Sequence, residues 1–62
     1  MENKLSAIMG ARLLRVKDVA DGSGLSQNAV SLIRNKRAKN ISLTTLIKLC
    51  DFLQVPLHDL VD

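Results

Sequence analysis

Arg34, Lys36, Arg37 and Lys39 fall within the stretch 34–40, which contains no acid. Cations held this close repel one another and favour a polyanion. Beyond Lys48 the chain has no Lys or Arg, while Asp51, Asp59 and Asp62 all lie there. This asymmetry suits a molecule with one face toward a polyanion and the other away from it; a solvated charged loop is the plainer alternative. Few other groups offer chemistry. The chain has 1 His and 1 Cys, His58 and Cys50, and a metal site needs clustered ligands. Cys50 stands at helical spacing among leucines and reads as a core residue. The GSG of 22–24 lacks the strand and lysine of a phosphate loop. No Ser, His and Asp set can be assembled from so few groups. The chain is therefore expected to be no enzyme, and to use no metal, cofactor or small-molecule ligand.

The elements that position the basic stretch follow from apolar spacing. With 62 residues, 47% of them hydrophobic, the chain is expected to form one domain, 1–62, with a small core. It has no apolar run of the ~20 residues that cross a bilayer. The start, MENKLSAIMG, lacks the pattern of a signal peptide. A lone cysteine agrees with a reducing compartment, so a cytoplasmic location is expected. Leu5, Ile8, Met9 and Leu13 predict a first helix from about Asn3, its N-cap, to Leu14. A second begins near Lys17, with Asp18 at the positive end of its dipole and Val16, Val19 and Ala20 inward; Gly22 and Gly24 weaken and end it. Ser26 caps a third, running to about Arg34 with Val30 and Ile33 inward. Residues 35–40 read as a loop. Ser42 caps a fourth, Leu43 to Leu53. Its apolar residues Leu43, Leu46, Ile47, Leu49, Cys50, Phe52 and Leu53 cover more than one stripe, which predicts the centre of the bundle. Pro56 suits the first position of a last short helix ending at Leu60 or Val61. No strand pattern or repeat is present, so the fold class is all-α with five helices.

Within this frame, residues 16–35 (VKDVADGSGLSQNAVSLIRN) carry the grammar of a helix-turn-helix. Counting Val16 as position one, a small residue, Ala20, stands at five, where the helices cross. Gly24 stands at nine, where the chain needs a positive φ. Leu25 at ten, Val30 at fifteen and Ile33 at eighteen close the wedge. Ser23 at eight departs from the usual apolar or Thr residue and is expected to bond a carbonyl of its own helix. An ordinary αα-hairpin in a small bundle is the alternative.

Those residues, with ISLTTLIKLC (41–50) and FLQVPLHDL (52–60), resemble the lambda-repressor-like, or Cro/XRE-type, helix-turn-helix family of bacterial and phage regulators. The likeness runs from about Leu5 to Leu60 and is strongest to short single-domain members. It implies a compact five-helix DNA-binding domain. The motif would be helices two and three, with residues 26–34 as the recognition helix in the major groove.

What the resemblance implies for single residues follows its pattern. Gln27, Asn28 and Ser31 would meet base edges, since amides pair bidentately with adenine and a hydroxyl serves several bases. Leu32, on the same side, would touch a thymine methyl or else pack partly buried. Lys17, Ser26, Arg34, Lys36, Arg37, Lys39, Asn40 and Ser42 would contact phosphates, which fix register; capping alone is the plainer role of the two serines. Arg12 and Arg15 read as phosphate ligands or as solubilising charges, the latter being the plainer role for Arg12. The implied function is a sequence-specific regulator of double-stranded DNA, a repressor by family likeness, binding as a dimer on half-sites one turn apart. Apolar Leu57, Leu60 and Val61 are expected either to supply the contact between copies or to close the core. A protein-binding or antitoxin-type module is the alternative. RNA fits less well, because single-strand recognition leans on aromatic stacking and Phe52 reads as core.

Overall fold

Serines start two of the helices. Ser26 Oγ accepts the Ala29 N–H at 3.0 Å, and Ser42 Oγ accepts the Thr45 N–H at 3.2 Å. Each bond satisfies one of the orphan donors at a helix start. The computed structural model describes residues 3–61. It contains α1 (Leu5–Arg12), α2 (Val16–Ser23), α3 (Gln27–Arg34), α4 (Leu43–Leu53) and α5 (Leu57–Leu60). The five-helix, all-α architecture is as expected, with no strand among the described residues beyond one isolated antiparallel bridge, Asn3 to Val61. No helix among them is long and apolar enough to cross a membrane.

The core is built from Leu5 and Met9 of α1, Val19 and Ala20 of α2, Val30 and Ile33 of α3, Leu46, Leu49 and Leu53 of α4, and Leu60 of α5. These are the inward residues of each helix at spacings of one, three or four, which lie together on one face. The fold around it extends over 23 × 21 × 18 Å. α2 packs on both α3 and α4, and α4 on both α2 and α5. The expectation that the apolar residues of α4 cover more than one buried stripe fails for a visible reason. Leu46, Leu49 and Leu53 form one buried stripe, but Leu43 is 61% and Ile47 48% exposed. Both lie on the flank of α4 away from Phe52 and Thr45.

Three further expectations are corrected. The first helix starts and ends inside its predicted bounds. Lys4 is its N-cap, while Asn3 is buried, accepts the Leu5 N–H on Oδ1 (3.2 Å) and donates from Nδ2 to the Ile33 carbonyl (3.1 Å). At the other end Leu13 is not an inward residue. It is 89% exposed at φ 57°, and the Leu13 and Leu14 N–H groups return to the Gly10 and Met9 carbonyls, closing the helix in a Schellman pattern. Gly22 does not end α2. It lies inside the helix, where a Cβ would run into the Phe52 ring of α4. Its role is close approach between helices, and the terminator is Gly24 alone, at φ 81°. Leu60 is fully buried and Val61 half-buried against the core. The Leu60 carbonyl accepts the Lys4 N–H at 2.7 Å. Of the three C-terminal apolar residues, only Leu57 is left exposed, so Leu60 closes the core and is not an intermolecular contact.

Candidate nucleic-acid interface

The wedge that presents α3 is locked by small groups. Ala20 is buried beneath the crossing, and the Gly24 N–H returns to its carbonyl at 3.0 Å. Leu25, half-buried, packs on the core. Ser23 is half-buried too, but its Oγ accepts the Leu25 N–H at 3.3 Å. The departure at that position thus braces the turn by accepting from the residue beyond it, not by donating to a carbonyl behind it. At the entry to α2, the Arg15 N–H donates to Asp18 Oδ2 at 2.9 Å and the Arg15 guanidinium approaches the same carboxylate at 3.4 Å. The main-chain bond, and then the side-chain bond, hold the Asp18 carboxyl below its ordinary range. Arg15 is thus engaged at the start of α2. Arg12 donates to the Leu53 carbonyl and caps the end of α4, which is more than the solubilising role expected of it.

On α3 the buried residues Val30 and Ile33 define the inward direction. A helix advances 100° per residue, so Asn28, Ser31, Leu32 and Asn35 follow one another along the opposite face. Asn28 and Leu32 are exposed and Ser31 is half-buried. Gln27, exposed, is the first helical residue and lies at the edge of that face. Sequence reasoning missed Asn35. Its Nδ2 donates to Ser31 Oγ at 3.3 Å, which orients that hydroxyl and leaves its proton for an outside acceptor. An amide and a serine four residues apart were the available signal.

The basic segment is fastened to the end of α3. Lys36 has φ 60°, and the N–H groups of Arg37 and Ala38 both donate to the Leu32 carbonyl, at 2.8 and 3.2 Å. This Schellman-type closure turns the chain back across the helix end. Arg34, Lys36, Arg37, Lys39 and Asn40 are all exposed. Arg34 and Lys36 line a cleft of about 440 Å³ on one flank of α3, shared with Lys4 and the start of α1. Asn40 and Ser42 line a smaller hollow on the other flank, beside Leu32. Lys17 is exposed in the first turn of α2, and Ser26 and Ser42 are exposed caps.

The described residues contain no group of three or more His, Cys, Asp or Glu placed to hold a metal ion. Cys50 is half-buried; burial, then the Asp51 charge, push its thiol up from the ordinary value, so it stays protonated at neutral pH. His58 lies beside Asp59 at 3.3 Å on an exposed turn of α5. With this geometry in view, comparison with protein families matches residues 4–62 to the Cro/C1-type HTH DNA-binding domain. No curated protein matches the chain.

Proposed function

Because the chain belongs to the Cro/C1-type helix-turn-helix DNA-binding domains, a regulatory and non-enzymatic family, we propose that it is a sequence-specific transcriptional repressor acting on double-stranded DNA in the cytoplasm. The reading rests on one observation above all. The face of α3 opposite Val30 and Ile33 presents Asn28, Ser31 and Leu32, with Gln27 at its leading edge. That face enters the major groove, where amides pair with adenine and the serine hydroxyl, set by Asn35, meets a base acceptor.

Phosphate binding falls to both flanks. Arg34 and Lys36 serve one strand from the α1 side, while Arg37, Lys39, Asn40 and the Ser42 end of α4 serve the other. Lys17 and Ser26 stand at the starts of α2 and α3, where free N–H groups favour phosphate. Repression follows from occupancy, since a bound domain of this size blocks other proteins from the same groove. Two copies occupy half-sites about one helical turn apart. The contact between them uses Leu57, at 40% exposure the open C-terminal apolar residue.

Selection of duplexes from a random pool tests this reading. It predicts enrichment of a short motif, in two related halves when copies pair. Bound duplexes with no common sequence would reduce the protein to a non-specific binder and remove the repressor assignment.

A further inference from the structure

Asn3 is the one polar side chain buried among the described residues. A buried amide is costly unless both its ends are bonded. Its Oδ1 accepts the Leu5 N–H at 3.2 Å, a bond that any short acceptor can supply at the start of α1. Its Nδ2 reaches thirty positions along the chain, to the Ile33 carbonyl at 3.1 Å. That carbonyl lies in the last turn of α3, and its regular helical donor is missing, because the Arg37 N–H goes to the Leu32 carbonyl instead. In its place the Ile33 carbonyl accepts the Lys36 N–H at 3.0 Å, the bond that closes the turn where Lys36 has φ 60°. One oxygen therefore holds both the turn and the Asn3 amide.

The amide stands on a fixed base. The Lys4 N–H donates to the Leu60 carbonyl at 2.7 Å, Asn3 pairs with Val61 in the antiparallel bridge, and Leu60 is fully buried. The turn it holds needs such support. A lysine at positive φ is disfavoured on its own and persists where its surroundings over-determine it. Lys36 and Arg37, both exposed, leave α3 through this turn. We infer that Asn3 is a positioning residue for contacts to the DNA backbone. It acts through the Ile33 carbonyl, on which the Lys36 turn closes, and so sets the heading of Lys36 and Arg37 toward phosphate. The inference rests on the DNA-binding role proposed above.

The test sets two variants of the full chain beside the parent, on the selected duplex and a scrambled one. Asn3→Asp keeps the size and the acceptor for Leu5 but turns an oxygen on the Ile33 carbonyl. Asn3→Ser keeps an acceptor for Leu5 and is too short to reach Ile33. Affinity is read by fluorescence anisotropy over a salt series, at a temperature where the parent is fully helical by circular dichroism. Both variants should bind both duplexes about tenfold more weakly, the worth of one charge-assisted hydrogen bond. They should keep the parent's ratio between duplexes, with a slope of log affinity on log salt shallower by about 1. In an Arg37→Ala background the same substitutions should have much less effect, because the contact they loosen is already gone. Parent-like affinity and slope in both variants overturn the positioning role and leave DNA binding standing. An undiminished loss in Arg37→Ala, or a loss of helical signal in both variants at the assay temperature, makes Asn3 a residue of the fold alone and overturns it too. A parent that binds neither duplex overturns the reading beneath it and the positioning role together.

Discussion

Leu13 is held in the left-handed region at φ 57° and is 89% exposed. A leucine pays a steric cost there that glycine does not, and it gains little packing in return. Leu13→Gly should raise stability by about 0.5–1 kcal/mol after allowing for the freer unfolded chain; an unchanged or lower urea midpoint would contradict this. Asp18 makes a second prediction at this scale. Its carboxyl is held below the ordinary range by the Arg15 N–H and guanidinium, so the unfolded chain binds its proton more readily than the folded one. The resulting stability is present above the ordinary carboxylate value and is lost as pH falls through the depressed one. Asp18→Asn should therefore be less stable than the parent at neutral pH, with the gap closing in acid. A gap that stays constant with pH would mean the charge has no part in it.

Between elements, the contact that sets how closely α2 approaches α4 is Gly22 against the Phe52 ring. An added methyl must displace the ring, and overpacking of this kind outweighs the helix propensity gained. Gly22→Ala is expected to cost about 1–2 kcal/mol net, read as a lower denaturant midpoint with an unchanged slope; equal or greater stability would show that the ring moves freely. This contact explains part of what the sequence could not reveal. A glycine near a helix end reads as a breaker, and its true neighbour lies thirty residues away in the chain (Phe52 against Gly22). The helices whose starts are local hydrogen-bond events were legible. Ser26 and Ser42 mark α3 and α4 at the observed residues, and Ala20 and Gly24 mark the crossing and the turn. What depends on tertiary burial was not. Leu13 fits the apolar spacing yet sits beyond the last helical residue, and Leu60 looks available for a partner yet is fully buried. The cleft that Arg34 and Lys36 share with Lys4 was hidden for the same reason, since nothing in the chain spacing places the start of α1 beside them.

At the scale of the whole molecule, charge and symmetry govern. The formal net charge is +3, and four of the nine cations lie at and just beyond the end of α3 while no Lys or Arg follows Lys48. If one copy neutralises roughly five phosphates, log affinity should fall with log salt at a slope of about −4.5, and at about double that for a pair of copies. Sedimentation of the parent and of Leu57→Lys, alone and on a duplex with two half-sites, links that slope to the number of copies. A parent that remains single on such a duplex, with the shallower slope, would remove the paired mode of binding.

The central claim is that the outward face of α3 chooses the sequence while the flanking cations supply affinity. Its most direct test is the ratio of affinities for the selected duplex and a scrambled one, measured at one salt concentration for the parent, Gln27→Ala, Asn28→Ala and Arg37→Ala. The two amide variants should each lose about 1–3 kcal/mol of discrimination, whereas Arg37→Ala should weaken both duplexes alike and keep the parent ratio. Amide variants that discriminate as well as the parent would contradict the account.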